Sequence, residues 1–172
     1  MAERHTRLAP AALAAVYDHA RREYPRECVG LLLGPAEDRT KVDEARPCVN
    51  AQDELHARNP LTYPRDARTA YNLAPLDARF LFESFDTARP VKIVYHSHAD
   101  VGAYFSDEDR RMALALFDDG QPAYDLSYLV VDAQHDRIAG AKLYRWEPSS
   151  QEFALIAEFA GEALPDSSSK QP

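Results

Sequence analysis

His96-Ser97-His98 is followed after seven residues by Ser106 and, two residues further on, by Asp109. Two imidazoles, a hydroxyl and a carboxylate at these separations could form one metal centre. His96, His98 and Asp109 would supply three ligands and leave the fourth tetrahedral position to water, as in catalytic zinc sites. A structural zinc would draw on four ligands, usually with cysteines among them. Upstream, Glu27 stands at the mouth of a strongly apolar run, Cys28 to Leu33. Among Pro25, Val29 and Leu31 its carboxylate is placed to be partly desolvated. That raises its pKa and suits it to take a proton from water and hand it to a leaving amine. Ser106 could hydrogen-bond a carbonyl oxygen as the carbon becomes tetrahedral. The chemistry indicated is hydrolysis assisted by one Zn2+ ion, whose charge would lower the pKa of bound water from ~15.7 toward ~7.

Taken singly, each residue has an ordinary explanation. Ser106 makes a good helix cap and Asp109 a first-turn partner for the helix dipole. Glu27 alone is a loop carboxylate, and Ser97 reads as structural, with its hydroxyl on nearby backbone. His5, His19, His56 and His135 read as solvated surface residues. The joint spacing, set in a strand–loop–helix context, is what points to a metal.

That context follows from the apolar pattern. Val91 to Tyr95 is β-branched and aromatic, a strand that delivers His96-Ser97-His98 at its end. Alternate strand residues share a face, so the two imidazoles can converge on one ion; on a helix, residues two apart diverge. Ser106 to Asp118 reads as the next helix, with Met112, Ala113, Leu116 and Phe117 on its apolar face. Pro10 to Glu23 reads as a helix through Leu13, Val16, Tyr17 and Ala20, with Pro10 in its first turn and Tyr24-Pro25 ending it. Cys28 to Leu33 is a buried strand closed by Gly34-Pro35, and Lys41 to Val49 its antiparallel partner. Residues 50–70 read as a long, poorly ordered loop. Pro75 to Ala88 reads as a helix with Leu76, Phe80, Leu81 and Phe85 inward. Leu126 to Asp132 and Ile138 to Trp146 form a hairpin, and Glu152 to Phe159 a last strand or helix. The fold class is α/β, a mixed central sheet flanked by helices, with the histidines at the carboxyl end of a strand where ligands bind in such sheets.

The 172 residues and 45% apolar content fit one domain, placed at 1–160, with a polar tail over 161–172 expected to be disordered. No apolar run approaches a membrane span and the N-terminus lacks a signal-peptide core, so a cytoplasmic protein is expected. The net charge of −8 comes without a basic stripe, which argues against nucleic-acid binding. Cys28 and Cys48 are too few for a disulfide framework, and Cys28 points to the strand face opposite Glu27.

Glu27…His96-Ser97-His98-x7-Ser106-x2-Asp109 resembles the JAMM (MPN+) metalloprotease signature, small prokaryotic type, and the likeness of element order extends over about residues 10–146. Glu27-x-x-Gly30-x-Leu32-x-Gly34 is similar to that family's first strand. The resemblance implies a cytidine-deaminase-like (JAB/MPN) fold and a zinc on His96, His98 and Asp109. It also implies Glu27 as general acid/base and Ser106 as a transition-state donor. The substrate it implies is a ubiquitin-like protein cleaved after its C-terminal Gly-Gly. A short connection from Asp118 to Tyr124, where larger relatives carry a ubiquitin-binding insertion, favours a sulfur-carrier protein as partner. Ala99 stands where many relatives have proline, which bears on loop stiffness. The 50–74 segment could dock the partner's tail by strand addition or side-chain pockets.

Three other functions come near the pattern. A metallo-β-lactamase-like hydrolase would need a histidine where Val101 stands. A non-catalytic MPN scaffold would be expected to have lost the ligands, which this chain keeps. A nucleoside deaminase would need Pro-Cys-x-x-Cys, which is absent.

Overall fold

The structure, a computed structural model, describes residues 5–163. Strand β1 (Arg7–Leu8) leads into helix α1 (Pro10–Glu23), then β2 (Val29–Leu33), β3 (Lys41–Val42), β4 (Glu44–Cys48), α2 (Gln52–Arg58) and α3 (Pro75–Ser84). Strand β5 (Val91–Ala99) precedes α4 (Asp107–Leu114), the small hairpin β6 (Phe117–Asp118) and β7 (Gln121–Pro122), and the strands β8 (Ser127–Gln134), β9 (Arg137–Glu147) and β10 (Glu152–Ala163). The main sheet runs β10-β9-β8-β5-β2-β4. Only β5 and β8 pair in parallel within it, so the sheet is mixed. That parallel pair needs a crossover, and α4 with its following hairpin supplies it.

Alternation along β2 and β5 divides the core in two. Leu32, Ile93 and Tyr95 face Val16, Tyr17 and Ala20 of α1, while Leu31 and Val94 face a cluster that includes Leu81 of α3 and Ala113 of α4. On the α1 side Tyr95 lies across Gly30, its partner in the β2–β5 register. A Cβ on Gly30 would come within 2.2 Å of the Tyr95 ring, so only glycine fits beneath it. The Tyr95 hydroxyl meets His19 Nδ1 at 2.9 Å, and His19 is buried rather than solvated as expected. His56 is half-buried, its Nδ1 2.6 Å from the Tyr63 carbonyl, and His135 is exposed.

Several boundaries move. The expected Lys41–Val49 strand splits at Asp43: its first part pairs with β1 and its second with β2, while the Asp43 carboxylate binds Arg89. Helix α3 stops at Ser84, and Leu76, expected inward, is 79% exposed. Helix α4 stops at Leu114, because the chain turns into the β6–β7 hairpin. The 50–70 segment is not a structureless loop. It holds α2, and a bridge joins Asn50 to Leu73. The polar composition from Gly161 does not end the last strand, since β10 keeps pairing with β9 through Ala163. The tail expected over 161–172 thus begins inside a strand, and residues 164–172 lie outside the described residues. No helix among the described residues is long and apolar enough to cross a membrane.

Candidate metal centre

Strand β5 carries His96 and His98 on the face that also bears Val94, while Ser97 points the other way. There the Ser97 hydroxyl accepts the Cys28 N–H at 2.8 Å, and the Ser97 N–H donates to the Cys28 carbonyl at 3.2 Å. This exchange locks the start of β2 to the ligand strand. Val29 pairs with His96, and continuing that register sets Glu27 against His98. Cys28 is fully buried on the far face, and burial pushes its thiol up to about 12, which leaves it no nucleophilic role.

Asp109 is delivered by a capping box. The extended Ser106 accepts the Asp109 N–H on its Oγ at 3.1 Å, and Asp109 Oδ2 accepts the Ser106 N–H at 2.8 Å. Ser106 therefore fixes the carboxylate, and its own hydroxyl proton stays available to a further acceptor. The sequence left the cap and the oxyanion donor as rival roles for Ser106, and the geometry lets one hydroxyl serve both.

His96 Nε2 lies 2.9 Å from Asp109 Oδ1, His98 Nε2 lies 3.3 Å from Asp109 Oδ2, and the two Nε2 atoms are 3.2 Å apart. Metal–ligand bonds of about 2.0–2.1 Å in a tetrahedron put neighbouring ligands about 3.3–3.4 Å apart. Each imidazole meets a different oxygen of the one carboxylate, and separations of 2.9–3.3 Å are close to those between ligand atoms around one such ion. All three residues are buried, at 0%, 4% and 3% exposure for His96, His98 and Asp109. Two imidazole nitrogens and a carboxylate converging out of water repel one another unless a proton or a cation lies between them. His98 Nδ1 is 2.9 Å from the Gly102 carbonyl, so that nitrogen carries the proton and Nε2 is free to ligate. Gly102 has φ 91°, a conformation that favours glycine, and so presents that carbonyl without strain. Together, His96, His98 and Asp109 form a group able to hold a metal ion.

Charge within the group follows from burial and contact. Burial works against the Asp109 carboxylate, but the two imidazoles and the Ser106 N–H hold it well below the usual range. Burial lowers His96 against the pull of Asp109. At His98 burial is outweighed by Asp109 and Glu27, and the pKa rises.

Glu27 is 5% exposed, and burial pushes its carboxyl up to about 8, with His98 opposing and Asp109 adding. Its backbone is held on both sides. The Glu27 N–H donates to the Ala67 carbonyl at 2.6 Å, and its carbonyl accepts from Asn50 Nδ2 at 2.9 Å. Asn50 also donates to the Ala70 carbonyl and accepts the N–H groups of Gln52 and Asn72 on its Oδ1. Gln52 Nε2 reaches the Arg65 carbonyl at 2.6 Å, and Asp53 Oδ1 accepts the Ala67 N–H at 2.7 Å. A cleft of about 260 Å³ opens beside Glu27, bounded by Val49, Asn50, Asp53 and Ala67.

The five residues singled out by spacing thus come together in one place. Two others at the site were not foreseen. Asn50 anchors Glu27, and Tyr71 stacks on His96 with ring centroids 4.5 Å apart at 28°. No local signal marks either one. Both act through partners distant in sequence, and Tyr71 sits in a stretch with no helical or strand periodicity.

A family model described as the prokaryotic homologs of the JAB domain matches residues 9–146. The chain belongs to that family. Its fold resembles the solution structure of a protein from Desulfitobacterium hafniense, with a TM-score of 0.56, 19% identity, and 87% of this chain and 88% of that one covered. A protein from Salinibacter ruber is similar too, with a TM-score of 0.56, 18% identity, and 96% and 95% of the two chains covered. At such identities the likeness shows the fold alone, a mixed α/β sheet of the JAB/MPN kind. No curated protein matches the chain.

Proposed function

We propose that the protein is a zinc-dependent peptidase or isopeptidase that cleaves after the C-terminal Gly-Gly of a ubiquitin-like protein, a sulfur carrier. The observation that carries the reading is the convergence of the two Nε2 atoms, 3.2 Å apart, on the Asp109 carboxylate, whose oxygens lie 2.9 and 3.3 Å from them, with the buried Glu27 beside the group. The donor set of two neutral imidazoles and one carboxylate suits zinc and leaves a coordination position open. His96, His98 and Asp109 would hold the zinc ion, which would supply Lewis-acid chemistry and lower the pKa of water toward ~7.

The chain's own residues carry the remaining steps. Glu27 takes a proton from the attacking water and returns it to the leaving amine. Burial raises its carboxyl in the metal-free chain and a bound zinc ion would oppose that rise, which suits the group to take the proton and to hold it until the amine leaves. The Ser106 hydroxyl donates toward the carbonyl oxygen as negative charge develops there. The carrier's extended Gly-Gly tail lies along the cleft beside Glu27, between that residue and the 50–67 segment.

The test is incubation of the zinc-loaded protein with sulfur-carrier proteins extended beyond Gly-Gly, or attached through it to a lysine, followed by mass spectrometry. Cleavage after the second glycine, abolished by a chelator and restored by zinc, is expected. An intact substrate in the presence of stoichiometric zinc would leave the scaffold reading in its place.

A further inference from the structure

His96 and His98 hold corresponding positions beside Asp109, each against one of its oxygens, but are supported differently. His98 has the Gly102 carbonyl behind it. The outer nitrogen of His96, Nδ1, is buried and has no hydrogen-bond partner among the described residues. Metal-bound histidines almost always pass their second N–H to an oxygen, which sets the ring's orientation. His96 lacks that device, and something else must keep its ring in plane with the ion.

The neighbour in place to do so is Tyr71. Its ring lies nearly parallel to the imidazole, with centroids 4.5 Å apart at 28°, and the residue is 7% exposed. Tyr71 is itself held rigidly. The Asn50 side chain grips the residues on either side of it, donating to the Ala70 carbonyl at 3.2 Å and accepting the Asn72 N–H at 3.1 Å. Asn72 Nδ2 is tied to Gln52 Oε1 at 2.6 Å. Val29, Cys48 and Leu81 belong to the same buried apolar cluster as Tyr71.

We propose that Tyr71 is the positioning residue for the His96 ligand: its stacked ring does for His96 what the Gly102 carbonyl does for His98. The inference rests on the metal-site reading above. It makes the ring, and not the hydroxyl, the part that matters. It also makes the two histidines differ in a measurable way, one fixed by a directional bond and one by a flat surface.

Zinc affinity, measured by competition with a chromophoric chelator, tests the proposal. Tyr71→Phe keeps the ring and is expected to bind zinc within about threefold of the parent. Tyr71→Leu removes the flat face and is expected to bind about 10–100-fold more weakly, the usual cost of losing support behind a ligand. In the cobalt-substituted protein, Tyr71→Leu should shift or weaken the visible bands of the tetrahedral ion, while Tyr71→Phe leaves them in place. A merely structural loss would lower the metal-free melting temperature without moving those bands. Should Tyr71→Leu fail to fold, the parent decides alone. In its zinc form, the imidazole N–H of His98 should resonate far downfield and that of His96 should not.

Equal affinities for the Leu and parent proteins, a Phe variant as weak as Leu, or hydrogen-bonded shifts at both imidazoles would each overturn the proposal. A parent protein that binds no zinc would remove the metal reading itself, an outcome distinct from all three.

Discussion

The half of the site that carries the ligands and the half that carries Glu27 are built by different means. His96, His98 and Asp109 come from one strand and the first turn of the next helix. Regular backbone sets their spacing, and a capping box and one carbonyl finish the alignment. Glu27 is held by Asn50 and Ala67, and that segment is tied together by side-chain-to-backbone hydrogen bonds from Asn50, Gln52 and Asp53. Such bonds are worth about 0.5–1.5 kcal/mol net apiece. A geometry fixed by three ligands on one ion is lost when any one goes. A geometry fixed by a mesh of small terms loosens by degrees. The two halves should therefore respond differently to mutation.

The largest separation comes from a pair of substitutions. His98→Ala removes a ligand, and we expect both stoichiometric zinc and all turnover to disappear. Glu27→Gln leaves the three candidate ligands in place and removes only the carboxyl proposed to carry the proton. Zinc content by atomic absorption should stay near one per chain while kcat falls about 10²–10⁴-fold, the usual contribution of general acid–base catalysis. If Glu27→Gln lost its zinc as well, the halves would not be separable, and Glu27 would belong with the ligands.

Asn50→Ala gives a smaller effect that sharpens the same contrast. The side chain makes four hydrogen bonds, two of them at carbonyls and two at N–H groups. Losing them should cost roughly 2–4 kcal/mol of stability, since several partners are left buried and unpaired. Zinc should remain bound, because every ligand survives, while kcat drops about tenfold as Glu27 is held less firmly; the basis is that misplacement of about 1 Å can cost 10²-fold. Denaturant titration and zinc analysis on the same sample check both parts. Unchanged kcat with lowered stability would show that Glu27 keeps its place without Asn50.

The contrast also explains what could be read from the chain alone. The ligand half was legible because it is short-range. Val91 to Tyr95 announces a strand, the alternation puts His96 and His98 on one face, and Ser106 with acidic neighbours announces a helix start. The mixed sheet followed from the same periodicities. The Glu27 cradle was not legible. Asn59-Pro60 and Tyr63-Pro64 read as breakers in a loop, and they do interrupt regular structure after α2. What orders that stretch is Asn50 reaching Ala70 and Asn72, across some twenty residues, and no window of local pattern contains both ends. His19 was misread for a related reason. It lies on the buried side of α1, and its partner is the Tyr95 hydroxyl on β5. A polar residue on an apolar face reads as solvated until the distant group that satisfies it is known. Leu76 is the converse, an apolar residue placed inward by pattern but left exposed at the start of α3.

The smallest effect concerns the metal-free protein, where the two halves can be distinguished by proton linkage. Burial pushes Glu27 up to about 8, from an ordinary value of 4.5. Between those values the folded chain holds a proton that the unfolded chain releases, so this group's contribution to stability falls as pH rises through the window. Asp109 behaves oppositely. Its carboxyl is held low, so its contribution is present above the ordinary carboxylate range and is lost only as the solution becomes strongly acidic. His96 is shifted down and His98 up, so a single melting curve would mix their linkage with that of Glu27. The difference between Glu27→Gln and the parent isolates the carboxyl. Near pH 5 the parent's Glu27 is protonated and resembles glutamine, so the two chelator-treated proteins should melt alike. By pH 8 the variant should be the more stable, by up to about 4 kcal/mol if the whole shift is expressed. A difference that stayed flat from pH 5 to pH 8 would mean that the carboxyl is solvated in the metal-free chain, and that the cradle holds its backbone without burying its charge.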